Sequence, residues 1–157
     1  MRKLFHVADR AVEYTVALCF LLIVIVGSLQ VFNRFVLNMS LSWSEEFQRY
    51  GQIWIVFLGI PVAYRRGVHI GMELLSDRLS RRGRWCLAVV IDLLWIVLAA
   101  ALLLGTVRLM AFLRFQTSPG LGLRMDWVYA AVVIGAVYTM FVAVRRLLTH
   151  FGVSRVE

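Results

Sequence analysis

The chain has 157 residues, 61% of them hydrophobic, with a mean hydropathy of +0.80. Soluble domains sit near about 45–50% apolar, so lipid is the expected solvent, and the length allows one compact unit over residues 1–157. The net charge of +8 does not point to nucleic acid: the basic residues fall between apolar runs, where lipid phosphates and membrane orientation use them, and no soluble basic face is left over.

The first predicted element is a membrane span over about 11–33. Arg2 and Lys3 make a positive start like that of a signal peptide, but Asp9 and Glu13 follow. The uncharged run from Tyr14 to Asn33 is also too long for an h-region and lacks a small-residue cleavage pattern, so a retained anchor is expected. Gln30, Asn33 and Arg34 give it a polar end; Arg34 can snorkel, and the amides can hydrogen-bond across helices.

The second span covers about 50–64, short of the ~20 residues a crossing needs. It is extended by a helix from 42, where Ser42-Trp43-Ser44-Glu45 reads as a capping box. Glu45 and Arg49 stand four apart, as helix partners do. Pro61 lacks an N–H and frees the carbonyl of Phe57, while Gly51, Gly59 and Ala63 allow close helix approach. After Gly67, the spacing of Val68, Met72, Leu75 and Leu79 against Glu73, Asp77, Arg81 and Arg84 predicts an amphipathic helix in the membrane interface, with a solvated hairpin as the plainer reading.

The third span is about 85–107, interrupted by Asp92, and the fourth is about 127–144. Between them TSPGLGLRMD is a turn-rich loop. The expected fold is therefore an all-α integral membrane protein: four transmembrane helices, with amphipathic interfacial helices between spans one and two and between spans two and three. Cys19 and Cys86 lack CxxC spacing and read as small buried hydrophobes.

Loop charge sets the orientation. Twelve Lys and Arg residues fall at the termini and between spans two and three; five (Arg34, Arg49, Arg108, Arg114, Arg124) fall on the other side. Both termini are expected in the cytoplasm. Trp43 and Trp127 then mark the outer interface and Trp85 the inner one.

No convergent acid, base or nucleophile set is visible, so no enzyme is expected. His6, His69 and His150 all lie outside the spans, which argues against a haem pair; no cofactor or metal is expected. Asp92, the one acid inside a span, is a functional candidate by default. It sits seven residues beyond Trp85, about 10 Å deep. Pairing with Arg65 or Arg66, a polar contact on another subunit, or a protonated state would each explain it.

Several patterns together carry a family resemblance. Gln30 to Arg34 reads Q-V-x-x-R, and Trp43 to Arg49 reads W-x-E-E-x-x-R. Trp54, F-L-G at Phe57 to Gly59, and G-x-H-I at Gly67 to Ile70 follow, with T-S-P-G-L-G-L before Trp127 and Tyr129. The chain resembles the small membrane subunit of tripartite ATP-independent periplasmic (TRAP) transporters, the DctQ-like family. It departs from that pattern where a proline is expected shortly before Trp127 and Leu123 and Arg124 stand instead.

The resemblance implies a bacterial inner-membrane scaffold subunit. Its partners would be a large elevator-type transport subunit, a periplasmic substrate-binding protein and membrane lipids, in sodium-driven uptake of an organic acid. Gln30, Arg34, Trp43, Glu45, Glu46, Arg49, Trp54, Gly59, Arg65, Gly67 and His69 are the candidate anchoring residues, with Asp92 as a buried polar contact. Two other classes stay open: an autonomous small transporter working through Asp92, and the anchor subunit of a redox complex.

Overall fold

The structure is a computed structural model that describes residues 2–66 and 79–151, the side chains of 2–9 and 66 excepted. Among the described residues it is all-helical, with four long helices: α1 (Arg2–Val36), α2 (Ser42–Arg66), α3 (Arg81–Leu113) and α4 (Met125–His150). The expected interfacial helix after Gly67 falls largely outside the described residues. Three stretches are long and apolar enough to cross a membrane, Arg10–Val36, Arg81–Leu113 and Met125–His150. The more polar α2 is not among them; it runs unbroken from Ser42, so the segment from 42 and the short apolar run over 50–64 form one helix.

The helices lie in a row, α1–α2–α4–α3. α1 packs against α2, α2 against α4, and α4 against α3. The cause is visible in the residue pattern. On α1 a single stripe is shielded: Val12, Val16, Cys19, Ile23, Val26, Gln30 and Asn33, spaced alternately four and three apart. That is the seam of a two-helix contact, and it leaves most of the α1 circumference open. α4 is the central helix. Its buried positions include Ala131, Gly135, Ala136, Thr139 and Ala143, small residues that let α2 approach closely.

The closest approach has a specific explanation. Pro61 sits inside α2, fully buried, and offers no N–H to the Phe57 carbonyl. That carbonyl lies against Gly135 on α4, where a methyl group would come within 2.3 Å of the Phe57 oxygen. The freed acceptor thus faces a glycine α-carbon, the geometry of a weak Cα–H···O contact. Gly51 plays a similar part toward α1, where a methyl would meet Ile23 at 2.8 Å. Gly59 does not: nothing lies within 4 Å of a Cβ placed there, so its expected close packing is absent within this chain.

The α1–α2 turn closes through Asn38, held at φ 50°, with the Met39 N–H returning to the Asn33 carbonyl at 3.1 Å. At the start of α2, the Ser44 N–H and hydroxyl both donate to the Leu41 carbonyl (3.1 and 2.6 Å). Among the described residues no ion pair joins Glu45 to Arg49; both point outward from α2. Cys19 lies half-buried in the α1 seam, whereas Cys86 is exposed, contrary to its reading as a buried hydrophobe, because α3 stands at the end of the row and has one face open.

Candidate functional site

Two polar joints fasten α2 to the α3–α4 pair, one near each end of α2. The first is at the Tyr64 end. Asp92 is fully buried. The Tyr64 hydroxyl from α2 donates to its Oδ1. Arg146 Nε from α4 stands 3.5 Å from the same oxygen. Asp92 Oδ2 faces His150 Nε2 at 3.2 Å, and neither atom has another hydrogen-bond partner. Arg146 also donates to the Tyr64 carbonyl at 2.8 Å and lies 4.6 Å above its ring. Trp95 of α3 packs against the Tyr64 ring, with centroids 5.0 Å apart. One carboxylate is therefore met by three side chains from two other helices, which is what a buried charge requires to be tolerated.

This corrects one of the partners expected for Asp92. Arg65 instead turns to α1, where its Nη2 pairs with Glu13 Oε1 at 3.0 Å; the side chain of Arg66, the other arginine expected, lies outside the described residues. The reason is helical geometry. Neighbouring residues point about 100° apart, so with Tyr64 directed at α3 and α4, Arg65 faces α1. Tyr64, Arg146 and His150 were not picked out from the sequence. The one available signal was spacing: Arg146 and His150 are four apart and so share one face of α4.

The second joint is at the Ser42 end. Glu46 Oε2 accepts from the Ser118 hydroxyl and from the backbone N–H groups of Gly120 and Leu121, both at 3.0 Å. The α3–α4 loop is shaped for this. The Ser118 N–H donates to the Leu123 carbonyl at 2.8 Å, and Gly122, at φ 65°, returns its N–H to the Ser118 carbonyl at 2.9 Å. A methyl on Gly120 would press within 3.0 Å of the Glu46 carboxylate and 3.3 Å of the Trp43 α-carbon, so a glycine is needed at that contact. The Ser118 hydroxyl, opposed by partial burial and then aided by the Gly120 and Leu121 N–H groups and the Arg49 charge, holds the Glu46 carboxyl below its ordinary range.

The remaining candidate residues distribute unevenly. Gln30 accepts from the Gln48 amide at 2.5 Å, linking α1 to α2, and Gly27 gives Gln48 room. Trp43 packs edge-on against Phe47, with centroids 6.4 Å apart. Trp54 is half-buried along α2, while Arg34, Glu45 and Arg49 are exposed. Gly59 lines an apolar groove of about 530 Å³ between α1 and α2, with Ala17, Phe20, Ile55 and Ala63 among its walls and Glu13 at its mouth. Gly67 and His69 lie outside the described residues. Among the described residues no cluster of His, Cys, Asp or Glu could hold a metal ion.

A family model described as the DctQ component of tripartite ATP-independent periplasmic transporters matches residues 22–152. The chain belongs to this family. The resemblance drawn from the patterns between Gln30 and Tyr129 is thereby borne out. A candidate TRAP transporter small permease protein of Haemophilus influenzae is 28% identical, over 100% of this chain and 98% of its own length. The ectoine TRAP transporter small permease protein of Halomonas elongata is 32% identical over 76% of this chain and 65% of its own. The isethionate TRAP transporter permease protein of Oleidesulfovibrio alaskensis is 35% identical over 52% of this chain, a segment that makes up only 13% of that longer protein. As a DctQ component with three membrane-length apolar helices, the chain is a multi-pass inner-membrane protein and a TRAP small permease subunit, a transporter component rather than an enzyme.

Proposed function

We propose that this DctQ component is the fixed scaffold of a sodium-driven, binding-protein-dependent transporter for an organic acid. It forms a single domain of four membrane-spanning helices, with α2 as the fourth span and both termini cytoplasmic. Its partner is a large permease subunit that carries substrate and sodium by an elevator-like movement, loaded by a periplasmic binding protein. The observation that carries this reading is the open row of helices. Each face is broad and apolar, α1 is held along one seam, and the row is stiffened by a polar joint at each end of α2.

Such a slab is poorly suited to enclose a substrate and well suited to widen a partner. The longer isethionate permease supports the pairing, because the matching segment there is part of a larger permease chain. Asp92 in this reading is a joint between helices. Gln30, Trp43, Glu46, Trp54 and Arg65 keep the slab in shape, while the exposed Arg34, Glu45 and Arg49 and the groove at Gly59 are available to a partner.

The test is co-expression with a large TRAP permease subunit. The two are expected to co-purify, and uptake into proteoliposomes is expected to need both subunits, the binding protein and an inward sodium gradient. Uptake by this chain alone would overturn the reading. So would an Asp92→Asn variant that assembled normally with the large subunit but carried no substrate.

A further inference from the structure

The first turn of α3 carries Arg81, Arg82 and Arg84 and no acidic residue. Among the described residues none of these three guanidiniums forms an ion pair. Three cations side by side repel one another, and the positive end of the helix dipole adds to the repulsion. Among the described residues the cluster is therefore short of negative charge.

Beside it lies a concavity of about 600 Å³, lined by Arg81, Arg82, Trp85 and Cys86. Its aromatic wall is held from behind. The Trp85 indole N–H donates to the His150 carbonyl at 3.4 Å, and its ring meets Phe151 edge-on, centroids 5.6 Å apart at 84°. The concavity thus has a charged half and an apolar half, at the level where tryptophan rings settle between headgroups and acyl chains.

We propose that this concavity is a binding site for the phosphodiester headgroup of an anionic phospholipid. The Arg81 and Arg82 guanidiniums supply paired N–H donors to the phosphate oxygens. Trp85 and Cys86 line the side on which the glycerol and first acyl carbons lie. A zwitterionic lipid offers the same phosphate but brings its own cation toward the arginines. Free phosphate offers the charge but nothing for the apolar half.

The experiment uses the full chain, reconstituted in turn with phosphatidylglycerol and with phosphatidylcholine, then stripped in non-ionic detergent. Retained lipid is counted by native mass spectrometry. Phosphatidylglycerol is expected to be retained over phosphatidylcholine. The double variant Arg81→Gln, Arg82→Gln is expected to lose about 30-fold in affinity for it, since each basic side chain near an anionic surface is worth about a factor of five. The pair Arg108→Gln, Arg114→Gln toward the far end of the same helix is expected to leave retention unchanged.

Equal retention of the two lipids by the unmodified chain overturns the site, whatever the variants do. Equal loss in both variant pairs overturns it as well. Displacement of the lipid by millimolar inorganic phosphate would assign the site to free phosphate and overturn the lipid. None of these readouts depends on the large subunit, so the scaffold reading stands or falls separately.

Discussion

At the Tyr64 end of α2, Asp92 lies fully buried and is met by side chains from two other helices; at the Ser42 end, Glu46 stays partly exposed and takes most of its donors from a loop backbone. Both acids tie α2 to the α3–α4 pair, yet the physics differs. The Asp92 joint places charge in a low-dielectric setting, where every partner matters and losing one leaves another stranded. The Glu46 joint uses N–H groups that a shaped turn has already aligned around a partly exposed carboxylate, so its loss exposes little.

The largest effect is expected at the Asp92 joint. Asp92→Ala removes the shared acceptor and leaves Arg146 and His150 facing each other without an anion. It should cost about 3 kcal/mol or more, read as a lowered unfolding midpoint in detergent with loss of α2–α4 association. An unchanged midpoint would show that the cluster is not a joint. Next comes the crossing between the two ends. Gly135→Ala drives a methyl into the Phe57 carbonyl and should cost about 1–3 kcal/mol through forced separation of α2 and α4. Disulfide trapping across that contact would show the shift.

The Glu46 joint should respond more locally. Its carboxyl titrates below the ordinary value of 4.5, so its contribution is complete above that value and disappears as the pH falls through the lowered one. Amide exchange at Gly120 and Leu121 should be unaltered between about pH 7 and about pH 5, after correction for intrinsic rates, and should accelerate only once the pH has fallen below the ordinary value of 4.5 and through the lowered one. Glu46→Gln should speed the same amides at neutral pH while leaving those around Asp92 protected. Spread of the effect to the Asp92 end would mean that the two joints are coupled rather than separate.

The smallest effect is expected at Gly59, which belongs to neither joint. Gly59→Ala enters open space and should raise the stability of the isolated chain slightly, by about 0.4–1 kcal/mol. A loss of binding to the large subunit with that stability intact would show that the α1–α2 groove is filled by the partner.

Much of this architecture is legible in the chain. Charge-free runs mark the helices, and the bounds of α1, α3 and α4 enclose the predicted 11–33, 85–107 and 127–144. The W-x-E-E pattern is legible as a signature, and the structure gives its second acid a physical partner in the T-S-P-G-L-G-L loop. What could not be read was which residues meet across 28 to 74 positions of sequence, as Tyr64 with Asp92 and Glu46 with Gly120 do. Arg65 was expected near Asp92 because both stand close to the same end of their spans; the turn of the helix sends it to Glu13 instead.

The sequence by itself determined the solvent, the helices and the family, because these depend on composition, local periodicity and motif. Only the tertiary structure decided that the helices form an open row with α4 in the middle, and that its two fastenings are unlike. Those facts depend on which side of each helix a residue occupies once its neighbours are placed. An apolar pattern that runs around most of each circumference does not encode that choice.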